Sequence, residues 1–192
     1  MSAPAHGLPD LLLIERARGA DARSIETLLR RYAQRLFRIA RSALGDEQAA
    51  ESAVQEACVA AFEELRRHEP SGKFAVWLTR LALEQLRTRR EMQPAARPAP
   101  AYGHPLEPAI DALPEVFRTV FVLRVVEGIS GTETAAALGL NVTTVRTRLY
   151  RAHRRLSGAA APQAPQEVFQ LDGARAERIV TEVLTRLRAR GA

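Results

Sequence analysis

The chain has very few of the residues on which thiol and metal chemistry depends. Its 192 residues include one cysteine, Cys58, and four histidines that are widely separated along the chain: His6, His68, His104 and His153. A single cysteine excludes an intramolecular disulfide and a multi-cysteine zinc site, and the histidine spacing fits no metal-binding motif. The sequence also has no glycine-rich phosphate loop and no nucleophile motif. We therefore expect no cofactor, no metal and no enzymatic activity, with Cys58 in a hydrophobic core.

Long apolar runs are also missing. The first twenty residues contain only four consecutive apolar residues, Leu11 to Ile14, and no basic leader. A signal peptide needs an apolar stretch of about 7 to 15 residues, and a membrane-spanning helix needs about 20. The sequence predicts neither, and we expect a cytoplasmic protein.

Lysine is almost absent, whereas arginine is abundant. All but one of the 28 basic residues are arginine, and the formal net charge is +6. An excess of cations favours a polyanionic partner such as nucleic acid or an anionic membrane surface. Arginine can bind phosphates and guanines through two hydrogen bonds at once. A genome rich in G and C would produce the same bias without any binding role, so composition alone leaves both explanations open.

Apolar residues recur with a helical period along most of the chain, and no run alternates with the two-residue period of a strand. The predicted class is all-α. A stretch with five prolines and almost no charge, residues 93–108, interrupts the helical pattern. We predict two small helical domains, a proline-rich linker between them and a C-terminal helical extension, with these boundaries: 8–92 for the N-terminal bundle, 93–110 for the flexible linker, 111–157 for a helix-turn-helix domain, and 158–192 for a second linker and an amphipathic helix.

Four helices are predicted in the first domain. The first covers about Pro9 to Arg18, Asp21 is the expected N-cap of the second, and Asp46 that of the third, which runs to about His68. From Asp46 to Glu69 the chain carries seven acids and only two arginines. The surface of the third helix should therefore be acidic.

The fourth helix is predicted from about Lys73 to Arg90 and should have two different sides. Its inward side is assigned by helical spacing to Phe74, Trp77, Leu78, Leu81 and Gln85. The opposite side is assigned to Lys73, Val76, Arg80, Glu84 and Arg87. Trp77 is interpreted as a core residue in preference to a platform for stacked bases.

A helix-turn-helix is predicted in the second domain. Ser130 and Glu133 have the spacing of a capping box, Gly139 permits a left-handed helix end, and Asn141 can cap the next helix. A short helix, a tight turn with glycine and a longer basic helix form the pattern of a helix-turn-helix.

The second helix of this motif should present a basic face. Its inward residues are expected to be Val145, Leu149, Ala152 and Leu156. The candidate DNA-binding residues lie on the other sides: Thr143, Thr144, Arg146, Thr147, Arg148, Tyr150, Arg151 and Arg154. No acid occurs between Val142 and Leu156, so this face can accept phosphates and donate to base edges. The alternative is a solvated basic face on an ordinary helical hairpin.

The same region resembles the promoter-binding domain of bacterial extracytoplasmic-function sigma factors, which belong to the sigma-70 family. The resemblance runs from Leu113 to Leu156 and rests on the following motifs: Leu113-Pro114, Phe121-x-Leu123-Arg124, Glu127-Gly128-x-Ser130, Ala135-x-x-Leu138-Gly139, Thr144-Val145-x-Thr147-Arg148-Leu149-x-Arg151-Ala152 and Arg154-Arg155-Leu156. The N-terminal part is similar to the other half of that family in these segments: Leu28 to Tyr32, Leu44-Gly45-Asp46, Ala50-Glu51, Val54-Gln55-Glu56 and Phe74-x-x-Trp77-Leu78-x-Arg80-Leu81-Ala82.

The resemblance implies a dissociable initiation subunit of RNA polymerase, with core RNA polymerase and promoter DNA as partners and an anti-sigma factor as a further possible partner. It implies that Glu51, Gln55 and Glu56 contact the polymerase clamp, although a solvated acidic face would have the same composition. It implies that the fourth helix binds the melted minus-ten strand, for which Lys73, Arg80 and Arg87 are suited. The helix-turn-helix would read the minus-thirty-five element in double-stranded DNA.

Three positions depart from the family pattern. Ser52, Glu84 and Thr88 stand where family members commonly carry Asp, Asn and Asp. Glu84 places a negative charge within the expected DNA-binding side, where it would repel phosphate or accept a hydrogen bond from a cytosine amino group. We therefore expect an unusual or weakened selection of the minus-ten element.

Two other functions are consistent with the same motifs. A stand-alone helix-turn-helix regulator would dimerise to bind two half-sites and would have no use for the acidic helix. A degenerate sigma-like protein would act through protein partners, in line with the three departures.

The last 36 residues fall outside the resemblance. They contain an expected amphipathic helix from about Gly173 to Arg190, with Ile179, Val180, Val183, Leu184 and Leu187 on one side. One interpretation is a helix that packs back on one of the domains. The other is a regulatory lid that covers the polymerase- or DNA-binding face.

Overall fold

The chain folds entirely from helices in the part that the computed structural model describes, residues 8–70, 72–92, 103–157 and 167–191. The helices are α1 (Asp10–Arg18), α2 (Ala22–Leu44), α3 (Glu47–Arg67), α4 (Phe74–Met92), α5 (Glu107–Asp111), α6 (Glu115–Phe121), α7 (Gly131–Leu138), α8 (Val142–Leu156) and α9 (Gly173–Gly191). A π-helical turn, Val122–Val126, continues α6. The all-α prediction is confirmed.

Capping residues determine where α2 and α3 begin and end. The side chain of Asp21 accepts a hydrogen bond from the Ser24 amide, and that of Asp46 accepts one from the Ala49 amide. Each bond satisfies one of the free amides at a helix start. Between the two helices, Gly45 takes a left-handed conformation with φ 74°, which a residue with a Cβ adopts at a cost. The predicted boundaries of both helices are confirmed.

The first four helices form the N-terminal bundle. α2 is its central element and contacts α1, α3 and α4. Its core side chains are almost fully buried, Phe37 and Leu36 among them, and belong to the same hydrophobic core as Leu65 and Cys58 of α3. Trp77 is only 4% exposed, and its ring lies 5.5 Å from that of Phe74. Trp77 and Cys58 are therefore core residues, as predicted.

One inward position of α4 was predicted wrongly. Gln85 is exposed, whereas the next residue, Leu86, is 4% exposed and completes the apolar side. Leu86 and Ala82 are spaced four residues apart and follow Leu78, so the buried stripe turns slightly around the helix. On the opposite side, Lys73, Arg80, Glu84 and Arg87 are exposed as predicted, whereas Val76 is half-buried.

The second domain begins earlier than the sequence predicted. The flexible linker was placed at 93–110, but Glu107–Asp111 form helix α5, and Leu106 and Ile110 are buried. Pro108 was interpreted as a helix breaker, yet it occupies the first turn of α5, where a proline removes no intrahelical hydrogen bond. Residues 93–102 of the predicted linker, and 158–166 of the second one, lie outside the described residues.

Helices α6, α7 and α8 form a compact unit around a small core of its own. Val120, Ala135 and Val145, one from each helix, are buried against one another. The π-helical turn brings Val122, Leu123 and Val126 into the interior. Gly128, with φ 64°, then allows the chain to reverse toward α7.

The C-terminal helix α9 packs on the N-terminal bundle, in contact with α2 and α3. Ile179, Val180, Val183 and Leu187 are buried and Leu184 is half-buried, so the predicted apolar side is confirmed. The main hydrophobic core includes residues from both domains and from the C-terminal segment, from Leu13 to Leu187. The last described part of the chain thus belongs to the same core as the first.

Candidate functional site: two charged surfaces

Helix α8 presents the basic face that the sequence predicted. Val145 and Ala152 are buried, and Leu149 and Leu156 are half-buried, so this side faces the protein. The exposed residues on the other sides define the basic face of α8: Thr143, Arg146, Thr147, Tyr150, Arg151 and Arg154. Tyr150 is 61% exposed. Two of the predicted residues, Thr144 and Arg148, are half-buried at the edges of this face.

The turn before α8 fixes its direction. Ser130 and Glu133 form both hydrogen bonds of the capping box at the start of α7, Gly139 ends α7 with φ 63°, and the side chain of Asn141 accepts from the Thr144 amide at 2.7 Å. All three local predictions are confirmed. Because both helices are capped, the exposed side of α8 is held in a defined position by its own turn.

Glu133 has a second function in this structure, because it also joins the two domains. Lys73 Nζ, at the start of α4, donates to Glu133 Oε1 at 2.8 Å. This ammonium and the Ser130 hydrogen bonds lower the pKa of the Glu133 carboxyl to about 2. Lys73 was predicted to bind DNA, but here its charge is directed at α7.

The exposed side of α4 faces the second domain across an open cavity of about 430 Å³. Arg80, Glu84 and Arg87 line it from α4, Val116 and Thr119 from α6, and Arg148 from α8. The structure thus brings three of the predicted DNA-binding arginines around Glu84. Glu84 reduces the positive charge of this cavity and lies where a nucleotide phosphate would be repelled.

The predicted polymerase-binding residues lie on α3 in three different settings. The Glu51 side chain is only 12% exposed, Gln55 is half-buried, and Glu56 is exposed. Glu56 Oε2 accepts from Arg89 of α4 at 2.9 Å. We call the carboxylates Glu47, Glu51 and Glu63, together with Gln55, the acidic face of α3.

Arginines of α9 neutralise the acidic face of α3. Arg178 donates to both carboxylate oxygens of Glu51 at 2.8 Å, and Arg175 donates to Glu51 at 3.2 Å and to Glu47 at 2.6 Å. The Arg178 guanidinium is the main reason why the pKa of the Glu51 carboxyl lies below its ordinary value. The central predicted polymerase contact is therefore covered by the chain itself.

The ion pairs between α3 and α9 keep one register. Glu47 pairs with Arg175, Glu51 with Arg178 and Glu63 with Arg190, at sequence separations of 127 or 128 residues. A constant separation means that the two helices run side by side in the same direction over about four turns. A further pair, Arg30 to Glu177 at 2.5 Å, joins α9 to α2.

The segment before α9 is held between the two domains by its backbone. The Phe169 amide donates to Glu107 at 2.7 Å, and the Val168 carbonyl accepts from Arg38 at 2.9 Å. Gln34 both donates to the Phe169 carbonyl and accepts from the Leu171 amide. Val168 and Phe169 are buried, and the Arg41 guanidinium lies 4.8 Å from the centre of the Phe169 ring.

Arginines of α2 form ion pairs with carboxylates of the second domain. Arg38 and Arg35 bind Glu127 at 2.9 and 3.2 Å, and Arg41 binds Asp111 at 3.1 Å. The Glu127 and Asp111 side chains are each 7% exposed. Buried charges are stable only when they are paired, so separating the two domains requires water to replace these partners.

Sequence reasoning missed this cluster of α2 arginines and its partners. Arg38 and Arg41 lie on the buried side of an amphipathic helix, which is a sequence signal for a paired interior charge. Their partners are distant in sequence and could not be assigned from local spacing.

The described residues contain no helix long and apolar enough to cross a membrane. Among the same residues, no group of three or more His, Cys, Asp or Glu side chains is arranged to hold a metal ion.

Two family models match the chain. Sigma-70 region 2 matches residues 28–92, and Sigma-70 region 4 matches residues 105–156, so together they cover more than half of the sequence. The second match begins at residue 105 and includes α5, in agreement with the domain start seen in the structure.

Among curated proteins, the ECF RNA polymerase sigma factor SigE of Mycolicibacterium smegmatis is 32% identical in an alignment of 155 residues that covers 69% of this chain. The chain spans 60% of the length of that relative. The RNA polymerase sigma-H factor of Pseudomonas aeruginosa is 26% identical over 182 residues, covering 80% of this chain and 94% of the relative.

Solved structures share the fold. CnrH, in complex with the cytosolic domain of CnrY, is 30% identical with a TM-score of 0.62, covering 78% of this chain and 95% of CnrH. The sigma factor RpoE of Bartonella quintana, in complex with the anti-sigma factor NepR, has a TM-score of 0.51 at 22% identity, covering 77% of this chain and 91% of RpoE, and shows likeness of fold alone. With both sigma-70 regions matched in order, the chain belongs to the sigma-70 family of RNA polymerase sigma factors, in its extracytoplasmic-function (ECF) group.

Proposed function

We propose that this chain directs core RNA polymerase to a promoter that it reads at two elements, and that α8 reads the minus-thirty-five element. The observation that carries the proposal is the basic face of α8, which is exposed, free of acids and held by a capped helix-turn-helix. Arg146 and Arg151 are suited to guanine edges or phosphates, and the hydroxyls of Thr143 and Thr147 can donate to either.

The acidic face of α3 and the neighbouring Glu56 form the proposed polymerase-binding surface, and Glu51, Gln55 and Glu56 are the proposed contacts. The Glu51 and Glu56 carboxylates favour a basic partner, and the α9 arginines already pair with Glu47 and Glu51 on this surface at 2.6 to 3.2 Å. The matched sigma-70 regions 2 and 4 favour a polymerase subunit over a stand-alone regulator.

The proposed minus-ten contacts, Lys73, Arg80 and Arg87, are exposed to solvent but face the second domain in this arrangement. Lys73 is paired with Glu133, and Arg80 and Arg87 line the cavity between the domains. We propose that they bind the melted strand after the domains separate. Capture of unstacked bases then adds to the binding energy that polymerase supplies.

Distances on DNA require that separation. Elements near positions minus ten and minus thirty-five lie about 25 base pairs apart, which is about 85 Å at 3.4 Å per base pair. A compact chain of 192 residues has a radius of gyration of only about 16 Å. Because α4 and α7 touch through Lys73 and Glu133, the arrangement described here is the form of the protein away from the promoter.

We propose that the chain itself has no catalytic activity and works in the cytoplasm, where the DNA and the polymerase are. Burial raises the pKa of the Cys58 thiol to about 12, so this group is not a nucleophile at neutral pH. As a further partner we propose an anti-sigma factor, the class of protein found with RpoE in the Bartonella quintana complex.

Transcription with purified core polymerase tests the function directly. The full chain, added to core polymerase and a library of promoter fragments from its own genome, should start transcripts at defined sites that core polymerase alone does not use. Binding to promoter DNA as a dimer, without polymerase and without defined starts, would instead support a stand-alone regulator. Polymerase binding without any start across the library would favour a degenerate sigma-like protein.

A further inference from the structure

The C-terminal segment, residues 167–191, lies on the surface that the polymerase is proposed to use. We propose that this segment is a built-in competitor of core RNA polymerase, which must displace α9 from the acidic face of α3 before it can bind there. The inference rests on the proposed polymerase-binding role of Glu51.

Charge is the first argument for competition. α9 carries five arginines and two glutamates, and three of the arginines pair with carboxylates of α3. Both carboxylate oxygens of Glu51 are taken by Arg178, and Arg175 adds a third hydrogen bond. A basic partner cannot form the same bonds while those guanidinium groups are in place.

The length of the contact between α9 and α3 is the second argument for competition. The pairs run from Glu47 to Glu63, so α9 follows α3 along most of its length. Val59, on the same stretch, is only 3% exposed. A partner that needs Glu51 and Gln55 together would meet the backbone and apolar side chains of α9 as well as its charges.

The segment before α9 explains how the competitor is anchored. Val168 and Phe169 are buried between α2 and α5, and side chains from both domains bind their backbone. Phe169 has a φ of 51°, a left-handed conformation that is strained for a residue with a Cβ. The same anchor holds the two domains together, so its release would free α3 and the domain arrangement at once.

The docking is built to be reversible. The Arg178 and Arg190 side chains are 54% and 59% exposed, and ion pairs at such exposed positions are individually weak. The covalent tether compensates, because it gives the segment an effective local concentration on the order of millimolar. A large partner that binds α3 tightly can therefore displace α9, whereas a weak or small one cannot.

Hydrogen exchange on the full chain tests displacement without altering the protein. In the free chain, the amides of α9 should exchange slowly. On addition of core RNA polymerase, their protection should fall at least about tenfold while the amides at the centre of α3 stay protected. If α9 exchanged freely in the absence of polymerase, or kept its protection in the complex, the competition would be wrong.

A charge variant gives an independent measurement. The double substitution Arg175→Ala and Arg178→Ala removes the pairs to Glu51 and leaves the apolar side of α9 intact. Its Kd for core polymerase should fall roughly three- to tenfold relative to the original chain, since the three ion pairs that these arginines form with Glu47 and Glu51 are lost from the closed form. The matched control is Arg186→Ala, because Arg186 pairs with Glu182 within α9.

The outcomes separate the two proposals. Equal Kd values for the double variant and the Arg186→Ala control, with polymerase bound by both, would overturn the competition and leave the sigma function standing. A higher Kd for the double variant would mean that α9 helps to bind polymerase, which also overturns it. Failure of every form to bind core polymerase would overturn the proposed function and this inference with it.

Discussion

The basic face of α8 and the acidic face of α3 are two strongly charged surfaces of the described chain, and they differ in how far their charges are paired. On α8, no ion pair is formed within the described residues by Arg146, Arg151 or Arg154. On α3, Glu47, Glu51 and Glu63 are each paired with an arginine of α9. The basic face of α8 is therefore exposed to a binding partner, whereas the acidic face of α3 is already paired with α9.

This difference bears on the order of events at a promoter. An exposed basic face binds DNA weakly and without sequence preference, because phosphate contacts dominate and fall with salt. On the proposed competition, a covered acidic face keeps the free protein from its polymerase partner until α9 is displaced. Four measurements test whether the two surfaces differ in this way.

Removing two arginines of the basic face should have the largest effect. Arg146→Ala combined with Arg151→Ala should lower promoter-dependent transcription roughly thirtyfold or more, since each base or phosphate contact contributes about 1 to 3 kcal/mol. The measurement is transcript yield with core polymerase at fixed salt. The control is Arg155→Ala on the same helix, whose guanidinium lies over the Phe117 ring. Equal losses in both variants would mean that the basic face does not contact the promoter.

The docking of α9 should be visible in stability. Ile179, on the inward side of α9, is fully buried, so Ile179→Ala should lower the free energy of unfolding by about 2 to 4 kcal/mol. Urea denaturation of the full chain measures this. Thr185→Ala, at an exposed position of the same helix, should change it by less than about 0.5 kcal/mol. If Ile179→Ala changed the free energy of unfolding as little as Thr185→Ala, α9 would not be docked in solution. The difference between the two charged surfaces would then disappear.

Loss of the capping box of α7 should have a smaller effect, because the box holds the helix-turn-helix in position and does not itself contact DNA. Ser130→Ala removes the acceptor of the Glu133 amide and should lower the free energy of unfolding by about 1 kcal/mol. Promoter specificity should stay the same, because no residue of the basic face is changed. Ser157→Ala, at the other end of α8, serves as the control for loss of a hydroxyl. Altered promoter choice in Ser130→Ala would show that the turn itself contacts DNA.

Acid should weaken the ion pairs that hold α9 on α2 and α3, and it should leave the basic face of α8 unchanged. The pKa values of Glu51 and Glu177 are lowered by Arg178 and Arg30, respectively. Their contribution to stability is therefore complete above the ordinary glutamate pKa of about 4.5 and is lost as the pH falls below it. Hydrogen exchange at pH 6 and at pH 3.5 should show lower protection of α9 at the acidic value. The basic face has no acid to titrate, so equal loosening of α8 would contradict this explanation.

Local signals predicted the helices and the helix-turn-helix well. Asp21, Asp46, Ser130 and Asn141 cap helices as expected, because a cap depends on residues three positions apart. The exposed side of α8 follows equally from spacing within one helix. Pro108 misled the prediction of the linker, since a proline breaks a helix in its interior but fits its first turn.

Contacts between distant parts of the chain were not predictable from the same signals. An amphipathic pattern shows that α9 must pack on something, and both packing on a domain and a lid were open. The choice of α3 depends on pairs separated by 127 residues, such as Glu51 with Arg178, for which a single sequence holds no local signal. The same is true of Glu127 and Asp111, whose arginine partners lie on α2.

The single lysine of the chain has a practical consequence. Lys73 is 77% exposed on its side chain and bonded to Glu133, where α4 meets α7. An amine-reactive reagent therefore modifies one side chain of this protein, and that side chain lies at the contact that is proposed to open on promoter DNA. The rate of labelling at Lys73 would report domain opening with no engineered residue, because the bond to Glu133 raises the pKa of this amine and slows its reaction.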